Sequence, residues 1–171
     1  MTPTLPKVSI IMPAYNVDRY IRRAVESLQH QTFEDFELLA VDDGSSDRTG
    51  QILDSIAARD IRVSVFHQKN AGAPAARNFA LDHARGEYVM FFDADDWAEP
   101  AMLSKMYAFA SVNRLELAVT GFYIDTHYGR PDRYPRGRSA RREAFFEVWL
   151  KHLTLFLKPF RTHSTALRQG R

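Results

Sequence analysis

The feature that most constrains the fold is a regular alternation of short apolar segments with helical patterns. Five apolar segments predict strands, and four segments with apolar residues at helical spacing lie between them. Because the connections are short, the βαβαβαβαβ order predicts an α/β fold with a mostly parallel sheet and helices on both faces. The predicted strands are 8–12, 36–41, 62–67, 88–92 and 117–123, and the helices begin near Asp18, after Asp47, at Pro74 and at Pro100.

Polar residues are concentrated where three of these strands end, at 13–16, 42–47 and 93–96. In a sheet of this kind ligands bind at the carboxyl ends of the strands, so a binding site is expected there. A P-loop motif is absent from the sequence, and residues 13–16 occupy the place of the glycine-rich turn that a dinucleotide-binding fold requires.

The segment 88–97 passes from an apolar strand directly into Asp93-Ala94-Asp95-Asp96. Clustered carboxylates repel one another, so a fold that keeps them together favours a cation between them. Mg²⁺ and Mn²⁺ take oxygen ligands and often share them with phosphates of a substrate. One hypothesis is a metal held by Asp93 and Asp95. The alternative is a polar loop with an aspartate capping the helix after Glu99-Pro100.

Three further side chains at the same predicted edge suit a nucleoside diphosphate. A carboxylate such as Asp43 accepts hydrogen bonds from the N–H of a base or from a ribose hydroxyl. Tyr15 offers a ring for stacking, and the fork of Arg77 suits a phosphate. Each has a structural alternative: Asp43, together with Asp42 and Asp47, as turn and cap residues, Tyr15 in packing, and Arg77 in a surface ion pair.

The composition is that of a soluble globular protein, and 171 residues suit one domain. The absence of cysteine excludes a thiol nucleophile and a disulfide framework. The sequence shows no apolar run long enough to span a bilayer and no signal peptide, which together predict a cytoplasmic location.

The charge changes sign along the chain. Up to Gly129 there are 12 Lys and Arg against 18 Asp and Glu, which gives −6, whereas 11 against 3 from Arg130 onward gives +8. Within 130–171 the sequence predicts a basic loop at 130–142, an amphipathic helix from 143 to about 157, and a disordered tail. The basic loop is a candidate for peripheral contact with an anionic membrane. The alternative is a solvated helix face and a loose tail.

Several motifs together resemble family 2 glycosyltransferases of the GT-A fold, the nucleotide-diphospho-sugar transferase-like fold. The resemblance covers roughly residues 7–125. The matching segments, in family order and at family spacing, are Val8-Ser9-Ile10-Ile11-Met12-Pro13-Ala14-Tyr15-Asn16, Gln31-Thr32-Phe33-Glu34-Asp35-Phe36-Glu37, Val41-Asp42-Asp43-Gly44-Ser45-Ser46-Asp47, Asn70-Ala71-Gly72-Ala73-Pro74-Ala75-Ala76-Arg77-Asn78, and Gly86-Glu87-Tyr88 followed by Phe92-Asp93-Ala94-Asp95-Asp96-Trp97.

The resemblance implies a metal-dependent, inverting transfer of a sugar from a nucleoside-diphosphate sugar, with a UDP-sugar expected, to a hydroxyl of a glycan or lipid-linked acceptor in polysaccharide or glycoconjugate synthesis. It implies no nucleic-acid partner, and it makes 1–129 the nucleotide-sugar-binding domain. It assigns Mn²⁺ or Mg²⁺ to Asp93 and Asp95. The positions implied to bind the donor are Pro13, Tyr15, Asn16, Asp43, Asn70, Arg77, Asp93, Ala94 and Asp95.

One part of the family pattern has no match. In the family, the catalytic base and the acceptor-binding elements follow the metal motif in the sequence. In this chain the acidic residues after Asp125 are Asp132, Glu143 and Glu147, and none of them lies in a recognisable base motif. The catalytic base is therefore unassigned. The alternative function is a truncated or non-catalytic nucleotide-sugar-binding module.

Overall fold

A computed structural model describes residues 5–119 and the strand 155–157. Across this part of the chain, no helix combines the length and the apolar character needed to cross a membrane. The elements in order are β1 (Val8–Ala14), α1 (Ile21–Gln29), β2 (Phe36–Asp42), α2 (Thr49–Ala57), β3 (Val63–His67), α3 (Ala73–His83), β4 (Tyr88–Phe91), α4 (Met102–Val112), β5 (Leu117–Val119) and β6 (Leu155–Leu157).

The strands form one six-stranded sheet in the order β3-β2-β1-β4-β6-β5. Strand β1 lies at the centre and pairs in parallel with β2 and β4, while β3 pairs in parallel with β2. Strand β6 is antiparallel to both β4 and β5. The prediction of a mostly parallel sheet is confirmed.

Helices cover both faces of the sheet, as predicted. Alternate residues of a strand point to opposite faces, and in β1 this places Val8, Ile10 and Met12 on one side and Ile11 on the other. The first side packs against α1, α2 and α4. The second packs against α3. The central strands are buried on both faces, which is why they appear in the sequence as continuous apolar runs.

The predicted helix from 143 to about 157 is wrong at its end, because residues 155–157 form β6. The physical reason is that β4 would otherwise have an unpaired backbone edge. Its N–H and C=O groups pair with this segment in the register Val89↔Leu157 and Met90↔Phe156. Several other predictions lie outside the described residues. They are the rest of this helix at 143–154, the basic loop 130–142, the tail beyond 157, the domain boundary between 129 and 130, and the end of the predicted fifth strand.

The first helix begins later than predicted, and Asp18, near its predicted start, does not cap it. Helix α1 begins at Ile21, and Tyr20 occupies its N-cap position without a side-chain cap. Asp18 is engaged elsewhere, since its backbone N–H donates to Asp47 Oδ2 at 3.1 Å and its carboxylate accepts from Arg48 Nε at 3.4 Å. The aspartate therefore joins two loops at the carboxyl edge of the sheet.

A buried polar cluster lies at the opposite, amino edge of the sheet. The Glu37 side chain, on a residue only 4% exposed, accepts from Ser9 Oγ at 2.6 Å and from Arg85 Nη2 and Nε at 2.6 and 2.9 Å. Ser9 Oγ accepts in turn from the backbone N–H of Gly86 at 2.8 Å. A Cβ at residue 86 would approach Ser9 N to 2.5 Å, so only glycine allows this turn to close. The cluster fixes the turn between α3 and β4.

Candidate functional site

The ends of β1, β2 and β4 and the start of α3 surround one cleft at the carboxyl edge of the sheet. Seven of the nine predicted donor-binding residues line it: Pro13, Tyr15, Asp43, Arg77, Asp93, Ala94 and Asp95. The lining also includes Ala14, Val17 and Ala73, which sequence reasoning did not single out. Ala14 and Ala73 lie within the quoted motifs, whereas nothing in the sequence distinguishes Val17 from an ordinary packing residue.

Asn16 and Asn70 are not among the residues that line the cleft. Asn16 has a positive φ of 52°, and its Oδ1 accepts from the backbone N–H of Ser46 at 2.8 Å. Its own backbone N–H donates to Ser45 Oγ at 3.0 Å. Asn70 is exposed in the loop after β3. Asn16 thus ties the loop after β1 to the loop after β2, and direct contact of either asparagine with a donor stays a prediction.

Asp43 is the most deeply buried carboxylate of the cleft, with 2% of its surface exposed. Its backbone N–H donates to the Ala14 carbonyl at 2.9 Å, which extends the pairing of β1 and β2. Its Oδ1 accepts from Gln68 Nε2 at 2.7 Å and from the backbone N–H of Ala71 at 2.9 Å, and its Oδ2 accepts from the N–H of Gly72 at 2.8 Å. Burial raises the pKa of Asp43, but these three hydrogen bonds outweigh it and hold the pKa below its usual value.

Two glycines allow the loops beside Asp43 to approach each other. Gly44 has a φ of +74°, and a Cβ there would lie 2.8 Å from the backbone nitrogen of Asn70. Gly72, at the N-cap position of α3, has a φ of +89°. Since L side chains rarely adopt such backbone angles, glycine at both positions lets the β3–α3 loop fold against Asp43.

The other two aspartates of the 42–47 segment maintain the loop structure. Asp42 Oδ1 accepts from the N–H of Ser45 at 3.1 Å, and its Oδ2 lies 3.1 Å from His67 Nδ1. Asp47 accepts from the N–H groups of Thr49 at 2.9 Å and Asp18 at 3.1 Å. These contacts match the alternative in which this segment supplies turn residues. Of the three aspartates, Asp43 is the one that lines the cleft.

His67 joins the end of β2 to α2. Its Nδ1 faces Asp42, and its Nε2 lies 2.9 Å from Asp54 Oδ1. Hydrogen bonds to the two carboxylates, with Asp42 contributing most, raise the pKa of His67 above its ordinary value. Protonation allows both ring nitrogens to donate, so the imidazolium form satisfies both aspartates together.

Arg77 and Asp93 form an ion pair inside the cleft. Arg77 Nη2 donates to Asp93 Oδ1 at 2.8 Å, and the side chains are 35% and 39% exposed. The sequence alternative of an ion pair for Arg77 is therefore correct, but the partner is the first aspartate of the predicted metal motif. The fork of Arg77 is therefore held beside Asp93, and about a third of the side chain remains exposed to solvent.

Asp93 and Asp95 suit a hard divalent cation by their chemistry. Both residues line the cleft, and the N–H of Asp96 donates to the Asp93 carbonyl at 3.1 Å, which closes the turn that contains them. The part of the chain that the structure describes holds no cluster of three or more acidic or histidine side chains arranged for a metal. Two carboxylates leave coordination positions for water and phosphate oxygens, the usual arrangement for Mg²⁺ beside a phosphate substrate.

Comparison with known proteins identifies the family. The model of the family described as Glycosyl transferase family 2 matches residues 9–169. The chain belongs to glycosyl transferase family 2. The family resemblance noted in the sequence, and the α/β fold that it implied, are thereby confirmed.

The glycosyltransferases that are similar to this chain are longer than the regions that match it. The uncharacterized glycosyltransferase EpsJ of Bacillus subtilis (strain 168) is 43% identical over 119 residues, which cover 70% of this chain and 35% of EpsJ. TuaG of the same organism, named for teichuronic acid biosynthesis, is 37% identical over 132 residues, 77% of this chain and 52% of TuaG. The chain thus spans about a third of one relative and half of the other.

Two solved structures share the GT-A fold with this chain. S. aureus TarS 1–349, solved in complex with UDP-GlcNAc, is 36% identical with a TM-score of 0.61, over 65% of this chain and 33% of that chain. The mannosyltransferase PcManGT from Pyrobaculum calidifontis, solved with GDP-Man and Mn²⁺, is 25% identical with a TM-score of 0.60. The match covers 67% of this chain and 35% of PcManGT.

Proposed function

We propose that this chain binds and activates the donor in a metal-dependent glycosyltransferase that moves a sugar from a nucleoside-diphosphate sugar to an acceptor hydroxyl. The observation that supports the proposal is the convergence of Asp43, Arg77, Asp93 and Asp95 on one cleft at the carboxyl ends of three strands. The base would contact Asp43 and Tyr15. The diphosphate would lie toward Asp95, with the Arg77 cation beside it.

The donor is proposed to be a UDP-sugar and the acceptor a glycan or lipid-linked glycan. TarS, which shares 36% of its sequence with this chain in the matched region, has been solved with UDP-GlcNAc. The relationship to TuaG favours polysaccharide or glycoconjugate synthesis. PcManGT, at 25% identity, was solved with GDP-Man, so the nucleotide is a property to be tested.

Asp95 and Asp93 would hold Mn²⁺ or Mg²⁺. When bound, such a cation stabilises the negative charge that the nucleoside diphosphate gains as the glycosidic bond breaks. Arg77 holds Asp93 by its 2.8 Å ion pair, so one oxygen of Asp93 is oriented before the donor arrives. The low pKa of Asp43 keeps its carboxylate an acceptor at neutral pH, as contact with an N–H of the base requires.

Transfer with inversion requires a base on the acceptor side of the sugar. In the described residues, the acidic side chains that line the cleft are Asp43, Asp93 and Asp95, each already assigned to the donor. That observation favours a second candidate, a module that binds the donor without transferring the sugar. The acceptor half and its base are proposed to come from residues outside the described part or from another chain.

A donor-hydrolysis assay separates the two candidates. With Mn²⁺ present and UDP-sugars as substrates, an active enzyme slowly releases UDP, and Asp95→Ala abolishes the release. A screen of nucleotide-sugars by metal-dependent thermal shift identifies the donor beforehand. Binding without release, across donors and acceptors, would favour the binding module, and failure of every nucleotide-sugar to bind would refute both.

The location proposed for the protein is the cytoplasm, with peripheral contact at the cytoplasmic face of the membrane through the basic segment 130–142. Six arginines in this segment support the proposal, because each basic residue near an anionic surface contributes about 1 kcal/mol. Co-sedimentation with phosphatidylserine vesicles should increase with lipid charge and fall with added salt. Binding that is insensitive to both would count against membrane contact.

A further inference from the structure

The hydrogen bonds of Asp43 leave very little of its carboxylate free. An ionised carboxylate has two oxygens with about four acceptor positions in total. Among the described residues, Oδ1 accepts two hydrogen bonds, from Gln68 and Ala71, and Oδ2 accepts one, from Gly72. Oδ1 is therefore saturated, and one acceptor position remains on Oδ2 of a residue that lines the cleft.

Gln68 differs from the other two donors because it acts through its side chain. Ala71 and Gly72 donate through the backbone, as any residue at those positions would. Gln68 is anchored by its own N–H, which donates to the Asp42 carbonyl at 3.0 Å, and its Nε2 reaches Asp43 Oδ1 at 2.7 Å. It is not among the residues that line the cleft. A substitution there can change the hydrogen bonding of Asp43 while leaving the cleft wall intact.

Nucleobases differ in how many donors they present to a carboxylate. Uracil has one N–H on its pairing edge, at N3. Guanine has two adjacent donors, N1–H and the N2 amino group, which pair with a carboxylate only if both oxygens are free. A guanine placed against Asp43 would leave one buried donor facing a saturated oxygen, and an unpaired buried donor weakens binding by about tenfold or more.

We propose that Gln68 is a specificity-determining residue, which saturates Oδ1 of Asp43 so that the site accepts a base with one N–H donor, such as uracil, and rejects guanine. The inference rests on the proposed function, because it takes the base to lie against Asp43. It extends that function by naming the residue that selects the nucleotide, although Gln68 itself is not among the residues that line the cleft.

Calorimetric titration with UDP and GDP in the presence of MnCl₂ tests the proposal. The unaltered protein should bind UDP about tenfold or more tightly than GDP. Gln68→Met removes the hydrogen-bond donor with little change in side-chain volume. It should reduce the ratio of UDP to GDP affinity to about threefold or less, chiefly by tightening the binding of GDP. A purely structural role for Gln68 would weaken both nucleotides equally and leave the ratio unchanged.

Gln29→Met is the matched control. Gln29 Nε2 donates to Asp60 Oδ2 at 3.0 Å, the same type of bond near the opposite end of β3. This variant should show the same ratio of UDP to GDP affinity as the unaltered protein. Gln68→Leu provides a second apolar replacement, and thermal melting shows whether each variant is folded.

Inosine diphosphate tests the same point on the unaltered protein. Its base keeps N1–H but lacks the N2 amino group, so it should bind about tenfold more tightly than GDP. Any of three results would overturn the inference. They are equal binding of the inosine and guanosine nucleotides, binding of GDP as tight as that of UDP, and an unchanged ratio of UDP to GDP affinity in a folded Gln68→Met protein. If no nucleoside diphosphate binds with Mn²⁺ or Mg²⁺, the proposed function itself fails.

Discussion

Arg77 Nη2 donates to Asp93 Oδ1 at 2.8 Å, and this ion pair joins α3 to the turn that follows β4. The two residues come from segments on either side of β4 in the sequence, yet they lie on one wall of the cleft. The pair holds a cation and an anion side by side where the proposed donor would place its diphosphate and its metal. Both side chains remain more than a third exposed, so a ligand can compete for either partner.

Arg77→Met should weaken binding of UDP in the presence of Mn²⁺ by about tenfold, because it removes the cation and the planar donor fork from the cleft. Stability should change by less than about 1 kcal/mol, since partly exposed ion pairs contribute little. Calorimetry and urea unfolding measure the two effects. Arg59→Met, at an exposed position beyond α2, is the control. Unchanged affinity would remove Arg77 from the donor site.

Metal removal should abolish stabilisation by the nucleotide. A ligand at about 100 times its Kd adds about 2.7 kcal/mol, which for a protein of this length corresponds to a rise in Tm of roughly 5–10 °C. UDP with Mn²⁺ should produce such a rise, EDTA should cancel it, and Asp95→Ala should not show it. Asp82→Ala removes an exposed carboxylate from α3 and should behave as the unaltered protein does. A rise that persists in EDTA would contradict the metal assignment.

Arg85→Met should destabilise the fold by about 2–3 kcal/mol without affecting the cleft. The substitution leaves the buried Glu37 carboxylate without its two guanidinium bonds, while the bonds from Ser9 Oγ and the backbone N–H of residue 85 remain. Urea unfolding measures the loss. Arg22→Met, on the exposed side of α1, is the comparison variant and should lose little. UDP affinity should stay the same, because the cluster lies at the amino edge of the sheet.

His67 should make stability depend on pH. Its hydrogen bonds to Asp42 and Asp54 raise its pKa in the folded protein above the ordinary 6.5. The stabilisation is therefore complete below the unfolded pKa and is lost as the pH rises through the higher folded pKa. His67→Gln should cost more stability at pH about 6 than at pH about 9. His30→Gln, whose ring contacts a backbone carbonyl, is the comparison variant. An equal loss of stability in His67→Gln at both pH values would contradict the proposed contribution of the imidazolium.

The first four strands and the four helices were predictable because each is determined by nearby residues. Strands buried on both faces appear as apolar runs, and Pro74 fits the first turn of α3 as expected. The same local signals misplaced the start of α1, where the Asp18 carboxylate accepts from Arg48 and does not cap the helix. The exception among the strands is β6, whose conformation depends on pairing with the distant β4.

The cleft was predictable in its location but not in its internal contacts. The three polar clusters follow strands, so the topology alone brings them to one edge. The sequence does not reveal that Gln68 contacts Asp43 across 25 residues, or that Arg77 takes Asp93 as its partner across 16. Both pairs depend on the side-chain conformations that packing selects, and sequence spacing carries no signal for them.

The position of β6 has a consequence for how the protein is made. The ribosome releases β4 long before residues 155–157, so during synthesis the strand that leads into Asp93 has one neighbour, β1, and an uncovered backbone edge. An uncovered strand edge can pair with another nascent chain. A product terminated before Leu155 would keep that edge permanently open, and it should therefore aggregate more readily than one that extends past Leu157.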